Sequence, residues 1–280
     1  MSGMLPPEVL VLGASGQVGA GVVAALLEAG SPVLAAGRDR QRLHALAERH
    51  AEEPALETLA MPVAGDRDAA RLAARITRRP RPLRAVVDAI GVPHAAARLL
   101  DSPVAVMRRT LERMLLPRLA LARHLLPYLA GRAAPGRYLL IGGPYARQGW
   151  AGYGHASVGE AALRMMARVL HEEAQALGVH VHLLAVDAPV WAPENAARAC
   201  AGWPSALAVG RHVVALLGGR DPPAGAVVAF SPRQAVPPRR LLPCQPGDVL
   251  EAIAHCPDAR PRASRPFEVP RSTSPRGPPT

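Results

Sequence analysis

Residues 9–19 read VLVLGASGQVG, an apolar run followed by glycines three apart, Gly13, Gly16 and Gly19. A helical pattern begins at once and continues to residue 29. That order reads as a strand, a tight turn and a helix N-terminus. Gly13 permits the turn, Gly16 lets the backbone approach a phosphate, and Gly19 lets helix and strand pack closely. The new helix offers unpaired N–H groups and the positive end of its dipole. Gly13, Ser15, Gly16, Gln17, Val18 and Gly19 are therefore the expected cradle for the pyrophosphate of a dinucleotide.

The rest of the chain repeats the strand-then-helix order. Short apolar runs near 9–12, 32–36, 56–60, 84–90, 137–142, 179–186 and 225–230 read as strands covered on both faces. Helical patterns fill 17–29, 39–51, 67–78, 103–130, 155–177 and 205–217. This alternation predicts an α/β fold, a doubly wound parallel sheet of about seven strands with helices on both faces. Pro117 should kink the long helix 103–130. The apolar residues of 103–130 and 155–177 (Leu119, Met165 and Val169 among them) suit either core packing or a homo-oligomer interface. Beyond residue 230 proline and arginine dominate, with PPRR at 237–240 and PRASRP at 261–266. Such a segment buries too little apolar surface to offset its ordering entropy, so 1–230 is read as one domain and 231–280 as a mostly disordered tail.

The net charge of +11 raises the question of a polyanionic partner. All 33 basic residues are arginine, spread along helices (Arg71, Arg75, Arg108, Arg113, Arg118) and concentrated in the tail. At 3% aromatic residues there is little to stack on bases, so the pattern favours solvated faces over a nucleic-acid site. Cys200, Cys244 and Cys256 have no C-x-x-C spacing, which points to a reduced, cytoplasmic protein without a structural zinc site. No long uncharged apolar run and no secretory leader pattern are evident, so no membrane association is expected.

The second strand ends VLAAGRDR, with Gly37 where an NAD site would carry an acid for the ribose. Arg38 follows, and a guanidinium without a competing carboxylate favours a 2′-phosphate, hence NADP(H).

Together these motifs resemble a short-chain dehydrogenase/reductase over about residues 8–230, an atypical member with the GxxGxxG turn. The resemblance implies a Rossmann-type sheet. It implies that Asp66 (or Asp68) meets the adenine, and that Ala89, Ile90 and Gly91 of DAIG line the adenosine ribose. LLPYL at 125–129 resembles the end of the family's fourth helix. VDAPVWAP at 186–193 resembles the turn beside the nicotinamide, which places Val190 at the cofactor. The family works with a tyrosine acid, a lysine four residues later, a serine thirteen before the tyrosine, and an asparagine on the fourth helix. Anchored on EAALRMMARVL, 160–170, those positions fall on Ala156, Glu160, Gly143 and Met114. All four are changed. No alignment could restore them, because the chain has no lysine and its one asparagine is Asn195.

Candidates for the missing acid are Tyr153, three residues before the tyrosine position, and His155, with Tyr145 and Glu160 nearby. A histidine titrates near neutral pH unaided, and contact between Glu160 and His155 would raise it further. Trp150, Trp191 and Trp203 are candidates for the walls of an apolar substrate pocket. Three functions stay open: an NADP(H)-dependent oxidoreductase with a non-standard acid acting on a small molecule, a non-catalytic NADP(H)-binding sensor or partner subunit, and a non-redox cyclase or isomerase.

Overall fold

Runs of Val, Leu and Ala too continuous for a half-exposed sheet require cover on both faces, and the fold supplies it. The computed structural model describes residues 7–130 and 135–231. Its strands are β1 (Glu8–Leu12), β2 (Val33–Gly37), β3 (Leu56–Ala60), β4 (Leu83–Asp88), β5 (Gly136–Gly142), β6 (Val179–Ala185) and β7 (Val227–Ala229). They form one sheet in the order β3-β2-β1-β4-β5-β6-β7, every pairing parallel. The helices are α1 (Gln17–Glu28), α2 (Arg40–Arg49), α3 (Asp66–Thr77), α4 (Val104–Met114), α5 (Leu116–Leu129), α6 (Gly154–Gln175) and α7 (Ala206–Gly218). This is the Rossmann-type, doubly wound arrangement.

Period-two alternation divides the core. Val9 and Val11 of β1 face α1, α2 and α7, with Val22, Leu26, Leu43, Leu46 and Val209. Leu10 and Leu12 face α3, α5 and α6, with Leu72, Leu121, Leu125, Leu163 and Leu170. Strand boundaries match the sequence expectation within about two residues. The long helix expected over 103–130 is two helices meeting at Leu115, with Pro117 in the first turn of α5. Proline cannot donate to the preceding turn, so the helix breaks there. Among the described residues no helix is long and apolar enough to cross a membrane. The expected disordered tail, from residue 232 onward, lies outside the described residues.

Helices α1 and α7 touch through bare backbone. A Cβ at Gly21 would overlap the backbone of Ala206, and one at Gly210 would overlap the Gly21 carbonyl. Arg211 Nε donates to Glu28 Oε2 at 3.0 Å beside this contact. The contact fixes where α7 begins. The segment between β6 and α7 then folds back on itself, with Trp191 N–H donating to Pro204 O and Ala206 N–H to Trp191 O.

Adding branched side chains at such a contact forces helices apart. Gly210→Val is expected to cost about 1–3 kcal/mol in chemical denaturation. Gly218→Ala, where nothing lies near the added Cβ, should be neutral or slightly stabilising, since alanine is the better helix former. Equal stability of the two variants would show that α1 and α7 are not packed this closely.

Candidate functional site

Sheet order reverses between β1 and β4, and a crevice opens there at the carboxyl ends of the strands. The glycine turn sits in that crevice. Gly13 has φ +69°, a left-handed conformation that suits glycine, and a Cβ on it would lie 2.7 Å from the carbonyl oxygen of Ala89. A Cβ on Gly19 would overlap the Gly13 carbonyl. Gly16 N–H donates to Gly13 O at 2.9 Å, closing the turn. Gly16 is also the residue that caps α1; no side chain caps this helix and no acid stands in its first turn. Its N–H groups are therefore available to an anion, and the residues fit a dinucleotide pyrophosphate. Ser15 is half-buried at the end of β2, Gln17 is exposed, and Val18, in the first turn of α1, packs on the core.

Arg38 is exposed just beyond β2. Asp39 next to it is occupied as the cap of α2, accepting from Arg42 N–H at 3.1 Å. Ser15, Arg42, Arg49 and Glu194 line an open cleft beside the turn, and Arg49 meets Glu194 across it at 3.5 Å. Asp66 begins α3 and pairs with Arg123 at 2.6 Å and His124 at 3.3 Å on α5. Asp68 accepts from Ala64 N–H and Arg71, which hold its carboxyl below the usual range. Ala89 is buried against the turn, Ile90 donates its N–H to Asp88 at 3.1 Å, and Gly91 is exposed. Val190 is half-buried, its carbonyl held by Asn195 Nδ2 at 2.9 Å.

The four positions that the resemblance assigns to chemistry hold Met114, Gly143, Ala156 and Glu160, and they lie together. Met114 is buried against Gly159 of α6, and Ala156 is buried one turn before Glu160. Glu160 is 6% exposed and its carboxyl lies over Gly143, so closely that a Cβ there would overlap Oε1. Oε2 is buried without a hydrogen-bond partner. Burial pushes this carboxyl up to about 7, against the pull of the Gly143 and Tyr145 N–H groups, Arg118 and Arg164. The partner of Glu160 is His94 Nε2 at 3.9 Å, not His155 as the sequence suggested. His94 lies in the segment after β4, a place that helical spacing around residue 155 cannot reveal.

Beneath Glu160 lies a buried ionic group. Arg118 is 3% exposed, which corrects its reading as part of a solvated helix face. Its guanidinium donates to the carbonyls of Met114 and Ile90 and stands 3.5 Å from Asp88 Oδ1. Burial raises the Asp88 carboxyl, while Arg118 and the Ile90 N–H pull it down. Tyr138 of β5 lies fully buried, raised well above the normal phenol range by burial and by Asp88. One signal could have shown it: Arg118 lies one turn after Met114 and interrupts the apolar run of α5.

Aromatic side chains cover the outer side. Tyr153, just before α6, stacks on Tyr145 at 5.3 Å; Tyr145 also meets His94 at 5.4 Å and Trp150 at 6.0 Å, edge to face. His155 is buried in the first turn of α6. Of the three tryptophans, Trp150 joins this cluster, whereas Trp191 and Trp203 belong to the segment before α7.

A family model described as short chain dehydrogenase matches residues 7–191. No curated protein matches the sequence. Solved structures share the fold. A short chain dehydrogenase from Mycobacterium smegmatis superposes with a TM-score of 0.67 at 18% identity, covering 81% of this chain and 93% of that one. A putative short chain dehydrogenase from Shigella flexneri 2a, complexed with NADP, gives 0.67 at 20% identity, covering 82% and 98%. A putative β-ketoacyl-ACP reductase gives 0.67 at 19%, also covering 82% and 98%.

The buried carboxyl has a consequence for stability. Glu160 titrates near 7 when folded and near 4.5 when unfolded, so its favourable contribution is complete below about pH 4.5 and is lost as pH rises through about 7. Glu160→Gln removes this loss. The variant is expected to match the wild type near pH 4 in chemical denaturation and to exceed it near pH 8 by up to about 3 kcal/mol. Parallel pH curves for the two proteins would contradict the buried placement.

Proposed function

Because the chain belongs to the short-chain dehydrogenase family, we propose that it is an NADP(H)-dependent oxidoreductase for a small organic substrate, with a proton-handling site of its own. The observation that carries this reading is the glycine turn at the crevice, whose helix N-terminus is uncapped and free of acids. Preference for the 2′-phosphate follows from Gly37 at the end of β2 and the exposed guanidinium of Arg38. That the Shigella flexneri relative was solved complexed with NADP supports it. In this reading Gly13, Ser15, Gly16, Gln17, Val18 and Gly19 hold the pyrophosphate, Arg38 the 2′-phosphate, Asp66 the adenine, Ala89, Ile90 and Gly91 the ribose, and Val190 the nicotinamide end. Bound reduced cofactor supplies a hydride. Tyr153 and His155 are the candidates to give the acceptor oxygen its proton.

The outer faces of α5 and α6 expose Leu116, Leu119, Met165 and Val169 at 45–56%. Apolar surface of that kind, on the two longest helices, supports a homo-oligomer formed through them. A cytoplasmic location fits the cysteine usage read from the sequence. A second reading, a non-catalytic NADP(H)-binding subunit, is favoured by the loss of all four family positions, Met114, Gly143, Ala156 and Glu160.

Fluorescence titration of the full chain is expected to show tighter binding of NADPH than of NADH. Arg38→Ala should weaken NADPH about tenfold or more and leave NADH unchanged. With NADPH and a panel of aldehydes and vicinal diketones, Tyr153→Phe and His155→Ala should each lower turnover. Binding of NADPH without turnover of any panel member would establish the non-catalytic reading. Full turnover by both variants would remove Tyr153 and His155 from the site.

A further inference from the structure

Glu160 projects from α6 toward Gly143 at the carboxyl end of β5. It is 94% buried by its 6% exposure, and one of its oxygens has no hydrogen-bond partner. A buried carboxyl with an unused oxygen costs stability unless something uses it. The residue opposite it is a glycine, and any larger residue at 143 would collide with the carboxyl. The carboxyl also has an exit toward solvent: His94, whose side chain is 17% exposed, stands 3.9 Å from Oε1.

We propose that Glu160 is the acid–base group of this site and that His94 passes its proton to and from solvent. The proposal rests on the oxidoreductase reading above. In the reductive direction the carbonyl carbon of the substrate gains the hydride of reduced NADP, and the displaced C=O electron pair moves onto oxygen. That oxygen takes the proton of Glu160 and becomes a hydroxyl. Glu160 is left as a carboxylate and is reprotonated from solvent through His94. Oxidation runs the same steps in reverse, with the carboxylate as base.

The surroundings of Glu160 suit this role. Arg118 faces it from α5, Arg164 from its own helix, His94 from the segment after β4, and Tyr145 with the Gly143 N–H from the end of β5. Burial prevails over these cations and donors and brings the carboxyl to about 7, so acid and base forms are both present near neutrality. Burial and Arg118 push His94 below its usual range, which keeps the imidazole neutral while Glu160 holds the proton. Tyr145, raised by burial and by Tyr153 and Glu160, stays a phenol. Arg164 is itself held by Asp187 at 3.2 Å, which ties α6 to the segment after β6.

Infrared titration of the full chain without substrate tests the carboxyl directly. Subtracting the Glu160→Gln spectrum should leave a protonated carboxylic acid band that disappears with a midpoint of about 7. With NADPH and the same aldehydes and diketones, wild-type reduction should fall as pH rises through about 7. Glu160→Gln should lower kcat about 100-fold or more and lose that limb, with NADPH affinity held. Formate should restore turnover to Glu160→Ala. His94→Gln should keep the carboxylic acid band and slow turnover about tenfold. Turnover by Glu160→Gln at the wild-type rate with the same pH limb would overturn the proposal while leaving the oxidoreductase reading intact, and so would a Glu160 already ionised near pH 5. A wild type that binds NADPH but reduces nothing would remove the oxidoreductase reading, and this role with it.

Discussion

Backbone lies on backbone where the turn after β1 meets the end of β4. Gly13 faces the Ala89 carbonyl with no room for a side chain, and Gly19 sits equally close above Gly13. Ala14 N–H reaches across to Ala36 O of β2 at 3.1 Å. These contacts bring the N-terminus of α1 down into the crevice, at the one place where the sheet order reverses. A second bare contact, Gly21 against Ala206 and Gly210, then fixes α7 on α1 and sets the path of the segment that precedes it. The glycine turn and the cover beside it both follow from the absence of Cβ atoms at a few positions.

The reactive end obeys a different constraint, the burial of charge. Asp88, Arg118, Tyr138 and Glu160 place ionisable groups within one region of the α5–α6 face of the sheet, and four of their atoms lack a hydrogen-bond partner within the protein. A guanidinium set between two backbone carbonyls and a carboxylate is held in place by its donors. Removing one partner of such a pair strands the other, which is why it resists piecemeal change. The family pattern places a lysine ammonium on α6 beside a tyrosine; here the buried cation comes from α5, and α6 contributes a carboxyl instead. In the role proposed for Glu160 the titrating group is an acid raised by burial, in place of the family's phenol lowered by a cation.

Much of this was legible in the sequence, for physical reasons. Apolar runs four to seven residues long between helical patterns leave few alternatives to a parallel sheet, so all seven strands were placed. Gly13, Gly16 and Gly19 announced the turn because spacing alone encodes it. Pro117 announced the break between α4 and α5. That the chain has no lysine for the family's tyrosine–lysine pair is read directly from the sequence. What sequence could not give was which side of a helix a charged residue faces when its neighbours are apolar all round. Arg118 therefore read as a surface arginine, although α5 is buried on much of its circumference. His94 was invisible for another reason: it meets Glu160 from 66 positions away, through a segment without periodicity.

As proposed above, the chain binds NADP(H) at the glycine turn and uses a buried carboxyl, Glu160, in place of the family's acid. A crystal structure of the full chain with NADP and a substrate analogue tests it most directly. The expected complex has the pyrophosphate on the α1 N-terminus, the 2′-phosphate on Arg38, and a Glu160 oxygen within about 3–4 Å of the analogue's oxygen. A cofactor placed as predicted, with Glu160 sealed away from the analogue and another protonatable group at that oxygen, would contradict it.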